Sequence, residues 1–218
     1  MKPPLRTAIL ISGRGSNMMS LVDAAAAPGF PAEIVAVGSN RPDAAGLAWA
    51  AGRGIDTFAI DHKQFRDREA FEVALQAALE ARRIELVCLA GFMRLMTAGF
   101  VARWQNRMIN IHPSLLPAYK GLHTHEKVLA DGVRITGCTV HYVRAEMDAG
   151  PIIAQAAVPV RASDTADELA ARVLAVEHRL YPYALRLVAS GAAVVAGEKV
   201  IVAAEPAPAN PLFSPSLA

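Results

Sequence analysis

The chain has 218 residues, 53% of them hydrophobic and 19% charged, and carries a formal net charge of +2. That length and apolar content support one large domain with a sizeable core and exclude a disordered chain. The basic residues are spread rather than blocked, so a dedicated nucleic-acid surface is not indicated, whereas a small anionic ligand stays open.

Residues 7–11 form a short apolar run, followed by Ser12-Gly13-Arg14-Gly15-Ser16-Asn17 and a helical stretch over residues 18–27. Residues 32–38 read as a second strand, the Ala-rich residues 43–52 as a helix and residues 55–60 as a weaker third strand. Over residues 67–82, Phe71, Leu75 and Leu79 recur every fourth position, as one buried helix face requires. Residues 84–90 are continuously apolar, the pattern of a strand covered on both faces in a parallel sheet. A short helix over residues 97–104 and a strand over 107–111 follow. This alternation predicts an α/β fold with a mainly parallel sheet and right-handed crossovers.

After Gly121 the pattern changes. Residues 135–143 and 151–160 are strand-like with no helix between them, which predicts an antiparallel pair appended to the sheet. Thr165-Ala166-Asp167-Glu168 is a capping box, and Leu169, Val173, Val176 and Leu180 continue a helical stripe that Pro182 should kink or interrupt. Residues 194–201 read as a hairpin turning near Gly197. Four prolines in residues 206–218 predict a loose tail, leaving residues 1–205 as a single domain.

Residues 1–6 lead straight into a strand with no signal-peptide pattern, and no apolar run approaches the ~20 residues that span a bilayer. A soluble cytoplasmic protein is the expectation. Cys88 and Cys138 lie inside apolar runs, which favours two buried thiols over a disulfide.

Two stretches carry chemistry. Gly13-Arg14-Gly15-Ser16-Asn17 lies between a strand and a helix, where glycines let the backbone approach an anion and the helix end presents free N–H groups. It lacks the third glycine of the dinucleotide fingerprint and the Gly-Lys-Ser/Thr of a P-loop, so the choice is a single phosphate or a plain capped turn.

In the second stretch His112 precedes Pro113, which biases it to a strand end, and Asn110 projects to the same side two residues earlier. Asn110 can donate to a developing oxyanion and protonated His112 can donate a proton. Asp148 lies in a Gly-containing turn able to approach His112 and stabilise the imidazolium. Structural roles in satisfying loop backbone are the competing reading for all three. His112, His123, His125 and His141 come without a Cys pair or a His-Glu-x-x-His pattern, so no metal is expected.

The segments Ile11 to Asn17, Leu89-Ala90-Gly91-Phe92-Met93-Arg94, Asn110 to Pro117, Gly121-Leu122-His123-Thr124-His125 and Met147 to Pro151 together resemble phosphoribosylglycinamide formyltransferase. The likeness covers about residues 7–190 in unbroken order. It implies a Rossmann-like formyltransferase fold, with a phosphate-binding half over about residues 1–105 and a catalytic, folate-binding half over about 106–205. It also implies transfer of a formyl group from 10-formyltetrahydrofolate, a co-substrate, to glycinamide ribonucleotide in purine biosynthesis. No bound cofactor, nucleic acid or membrane is implied, and the chain would be a monomer or homodimer.

The resemblance places the general acid at His112, an oxyanion donor at Asn110 and the supporting carboxylate at Asp148. Gly15, Ser16 and Asn17 would hold the ribonucleotide phosphate, and Glu177 would contact the glycinamide near its amine. The folate would lie along Met93, Arg94, Leu95 and Met96, beside Asn110, with Val143, Arg144, Ala145, Glu146, Met147 and Asp148 on its other side. Arg68 matches a basic residue near the folate's glutamate end, although Asp67-Arg68-Glu69 reads equally as a solvated helix start. Arg14 stands where many members carry Asn, Lys120 has no assigned role in a loop expected to be mobile, and His141 is either packing or a folate contact.

A methionyl-tRNA formyltransferase would share the Asn, His and Asp set but need a further C-terminal domain, and a formyltetrahydrofolate hydrolase would need an extra N-terminal one. A non-catalytic folate or phosphosugar binder on the same fold would have no use for the acid and its carboxylate together.

Overall fold

The computed structural model describes residues 3–203 and Ser214, so the expected tail over residues 206–218 lies outside the described residues apart from that one position. The chain runs β1 (Leu5–Ile11), α1 (Ser16–Ala25), β2 (Ala32–Ser39), α2 (Ala45–Ala51), β3 (Asp56–Ala59), α3 (Arg68–Ala81), β4 (Leu86–Leu89), α4 (Ala98–Arg103) and β5 (Met108–His112). It continues through α5 (Thr124–Ala130), β6 (Ile135–Tyr142), β7 (Ile152–Pro159), α6 (Ala166–Ser190), β8 (Ala193–Ala196) and β9 (Lys199–Val202).

Seven strands form one sheet in the order β3-β2-β1-β4-β5-β6-β7. All neighbours are parallel as far as β5, whereas β5–β6 and β6–β7 are antiparallel, as the change of pattern after Gly121 predicts. The β8–β9 hairpin stands apart as its own two-stranded sheet. Alternation along each strand fills two cores. Ile9 and Ile11 of β1 enter the core shared with α1 and α6, while Ala8 and Leu10 enter the one shared with α3 and α4. Both faces are therefore covered, which explains the unbroken apolar run at β4. Among the described residues, no helix is long and apolar enough to cross a membrane.

Three local features position the site. The capping box at Thr165 starts α6, which continues through Pro182 for 25 residues instead of breaking there. Buried Tyr181, Ala184 and Leu185 flank that proline, and the Tyr181 hydroxyl reaches the carbonyls of Leu89 at 3.0 Å and Ile109 at 3.2 Å. Tertiary packing thus outweighs the missing N–H. Cys88 and Cys138 are unpaired and buried, and burial pushes each thiol up to about 12.

The second feature is α5, which the residue pattern does not announce. Its start is His123 at φ 59°, without a side-chain cap, and only Thr124 and Val128 are buried on its inner face. The third is Gly150, whose added Cβ would run into the Tyr142 carbonyl, so the chain after Asp148 can pass β6 only as glycine.

Candidate active site

The parallel strands end at a cleft of about 630 Å³, a volume suited to a small molecule. β5 delivers Asn110 and His112 to it. Ile109 and Ile111 turn into the α1–α6 core, so the residues between and after them project to the other side of the sheet.

The His112 side chain is 7% exposed. Its Nε2 lies 2.9 Å from the Tyr119 carbonyl, which can only accept, so Nε2 carries hydrogen. Its Nδ1 faces Asp148 Oδ2 at 3.4 Å. With an acceptor opposite each ring nitrogen, the geometry suits the doubly protonated ring, the form that can give up a proton. Asp148, 10% exposed and at φ 53°, is fixed by accepting the Gly121 N–H at 2.8 Å. The carboxylate and imidazole predicted from sequence are therefore brought together.

The same two loops are joined at the rim by Lys120, whose Nζ sits 2.8 Å from Glu146 Oε1. Glu146 is exposed and is not among the residues lining the cleft, whereas Val143, Arg144, Ala145 and Met147 are. Arg144 reaches outward to Glu198 and Asn106.

The opposite wall is the irregular segment holding Met93, Arg94, Leu95 and Met96, all of which line the cleft. Its start is held by the Met93 N–H donating to Ser12 Oγ at 2.8 Å, and Ser12 donates onward to Asn40 at 2.6 Å. Its end is held by buried Glu72, which accepts the Thr97 N–H at 2.6 Å and the Thr97 hydroxyl. Arg68, at the first turn of α3, is exposed and is not brought into the cleft lining.

Gly15 takes φ 73° and starts α1 with no side-chain cap and no acidic residue in the first turn. The helix end is thus left free for an anion. The Gly46 N–H on α2 donates to the Gly13 carbonyl at 3.1 Å and steadies the loop. Gly15 and Ser16 sit beside the cleft lining, while Asn17 belongs to it. Asn17 Nδ2 donates to Glu177 Oε2 at 2.7 Å. Burial pushes the Glu177 carboxyl above its ordinary range, and the Asn17 bond opposes that shift.

The cleft also holds residues that sequence reasoning missed. Ala170 and Leu174 line it from α6, one and two turns before Glu177, and helical spacing from that glutamate would have found them. His125 lines it too, with a buried Nδ1 that has no hydrogen-bond partner among the described residues. His141 is a neighbour of Asn110: the two pair across β5–β6 and His141 Nε2 lies 3.3 Å from Asn110 Nδ2. Among the described residues, no group of three or more His, Cys, Asp or Glu side chains is placed to hold a metal ion.

The chain is similar to known proteins in sequence and in fold. A family profile described as formyl transferase matches residues 5–185. Phosphoribosylglycinamide formyltransferase of Escherichia coli is 43% identical over 183 residues, 84% of this chain and 86% of that protein. The trifunctional purine biosynthetic protein adenosine-3 of Bos taurus is 51% identical over 187 residues, 86% of this chain but 18% of its own length. The chain thus spans about a fifth of such trifunctional relatives. The crystal structure of glycinamide ribonucleotide transformylase 1 from Symbiobacterium toebii superposes with a TM-score of 0.89 at 44% identity, over 92% of this chain and 94% of that one.

Proposed function

The chain belongs to the formyl transferase family, and from that premise we propose that it transfers the formyl group of 10-formyltetrahydrofolate to the amino group of 5'-phosphoribosylglycinamide. The products are formylglycinamide ribonucleotide and tetrahydrofolate, a step of purine biosynthesis. The observation that carries this reading is the meeting of Asn110, His112 and Asp148 in one cleft that also reaches Asn17 and Glu177. A hydrolase would have no need of an anion-ready helix end at the far side of the same cleft.

The ribonucleotide phosphate sits at the start of α1, on the N–H groups of Gly15, Ser16 and Asn17. Glu177 accepts from the glycinamide end. The folate packs its ring along Met93 to Met96 on one side and Val143 to Met147 on the other. Its glutamate end runs outward, and Arg68 and Glu146, outside the lining, meet only that solvent-facing part. The N-terminal half therefore supplies the phosphate site and the C-terminal half the acid. The enzyme is cytoplasmic, acts as monomer or homodimer on small molecules only, and uses the folate as co-substrate with no resident cofactor.

In the reaction the neutral amine attacks the formyl carbon, forming a C–N bond and a tetrahedral oxyanion. Asn110 donates to that oxygen, and the His112 imidazolium joins it once its Nε2–H turns from the Tyr119 carbonyl to the substrate, each such donor being worth on the order of 100-fold in rate. The attacking nitrogen loses a proton and the folate nitrogen gains one as its bond to carbon breaks. His112, paired with Asp148, mediates that transfer, directly or through one water.

A folate absorbance assay with and without the ribonucleotide tests the reading. Release of deformylated folate only when the ribonucleotide is present supports it. Equal release without the ribonucleotide favours hydrolysis, and binding without turnover favours a non-catalytic binder.

A further inference from the structure

His141 has no place in the mechanism above, yet it is among the most constrained side chains near it. It is 2% exposed, faces Asn110 across the β5–β6 ladder, and sits where the β6–β7 register slips. Val140 pairs with Ala154 but His141 pairs with Ile152, so Ile153 is skipped and forms a bulge. Bulges beside active sites re-aim side chains.

The ring's hydrogen bonds fix its tautomer. Nδ1 lies 3.0 Å from the Tyr142 carbonyl, an acceptor only, so Nδ1 carries the hydrogen. In the neutral ring Nε2 is then a bare lone pair, and its nearest neighbour, at 3.3 Å, is a donor, the Asn110 amide nitrogen, with Asp148 Oδ1 farther off at 3.8 Å. Were the Asn110 amide turned over, its oxygen would face that lone pair. Burial also holds His141 below the usual imidazole value, against the Tyr142 bond and the Asp148 charge.

We propose that His141 is a positioning residue that sets the direction of the Asn110 amide. It accepts one amide hydrogen through Nε2 and so leaves the other free for the oxyanion. This role rests on the formyl-transfer reading, in which Asn110 is an oxyanion donor. A turned amide would offer the developing negative charge an oxygen, so the fixed tautomer separates a working donor from a repulsive group.

Two measurements test it. The first is independent of turnover: nitrogen NMR of the imidazole in the wild-type protein. Protonated Nδ1, bare Nε2 and a coupling across the hydrogen bond to Asn110 Nδ2 are expected. A ring proton on Nε2 overturns the proposal whatever the reaction proves to be.

The second is a kinetic cycle of His141→Phe, His141→Gln, Asn110→Ala and the double variant Asn110→Ala/His141→Phe. His141→Phe should lower kcat by roughly 10- to 100-fold with both KM values near wild type. His141→Gln, which restores an acceptor, should recover much of the loss. The double variant should be no slower than Asn110→Ala alone, because the two residues act as one unit. Multiplying effects, or a raised folate KM at unchanged kcat, overturn the positioning role. A wild-type enzyme with no ribonucleotide-dependent turnover instead overturns the formyl-transfer reading, and the NMR result still decides on the tautomer.

Discussion

Asn17 on the first turn of α1 donates to Glu177 on α6 at 2.7 Å, joining two residues of the cleft lining that are 160 positions apart. The bond leaves Asn17 Oδ1 buried and without a hydrogen-bond partner among the described residues. One end of the site is therefore preassembled by contact between the beginning and the end of the fold. The other end depends on His112 and Asp148, and each end makes its own prediction.

Asp148→Asn keeps an acceptor for the Gly121 N–H but removes the charge facing His112. It should lower kcat by roughly 10²-fold or more with little change in melting temperature, and His112→Ala should cost at least as much. Steady-state kinetics alongside thermal melts check this; equal losses of stability and rate would mean that the pair is structural.

Inorganic phosphate should compete with the ribonucleotide and not with the folate, since the uncapped start of α1 is the proposed phosphate site and the folate ring is assigned to other residues, Met93 to Met96 and Val143 to Met147. Initial rates at several phosphate concentrations decide the pattern. Competition against folate would place the anion site elsewhere.

Glu177→Gln should raise the melting temperature by a few degrees at pH 8 while weakening the ribonucleotide KM. The sign follows from burial, which raises the folded-state pKa of Glu177 above its ordinary 4.5. Below that value both states hold the proton and the variant gains nothing. As pH rises beyond it the unfolded chain ionises first, so the wild type loses stability that glutamine keeps. Melts at pH 4 and pH 8 expose the difference.

Asp164 makes two hydrogen bonds to the Arg172 guanidinium, at 2.6 and 2.7 Å, which hold its carboxyl down at about 2 against an ordinary 3.8. That stabilisation is fully present above pH 3.8 and is lost as pH falls towards 2. Asp164→Asn should therefore melt earlier than wild type at pH 7 and about together with it near pH 2. A constant gap across this range would remove the ion pair as the cause.

Tyr181→Phe strips the hydroxyl that serves the Leu89 carbonyl at the end of β4 and the Ile109 carbonyl near the start of β5. It should cost about 1 kcal/mol or more in denaturant unfolding, with kcat close to wild type, because no atom of Tyr181 lines the cleft.

The parallel half of the fold is legible because its strands are covered on both faces: a run such as residues 84–90 has no other good use. The antiparallel pair shows itself by the missing crossover helix. Asn110 and His112 can be placed because strand geometry fixes two residues of the same β5 relative to each other. Asp148 cannot be placed by spacing, as its approach depends on Gly150 passing the Tyr142 carbonyl and on a left-handed φ at Asp148 itself. Helix α5 is hidden for a similar reason, since it begins at a left-handed histidine with no capping side chain. Pro182 misleads because local preference is overruled by the packing of its neighbours in α6. Glu146 and Met147 are adjacent in sequence, yet only Met147 lines the cleft, and no periodicity governs an irregular loop.

Both cysteine side chains lie sealed in the apolar interior, each with its thiol near 12. At neutral pH both thiols therefore stay protonated, and the ionised form is the one that reacts. Alkylating reagents, peroxide and a shifting glutathione pool accordingly find nothing to modify at these positions. An inhibitor meant to bind this cleft covalently would need a warhead for imidazole or for the Lys120 amine at its rim, because sulfur chemistry is closed to it.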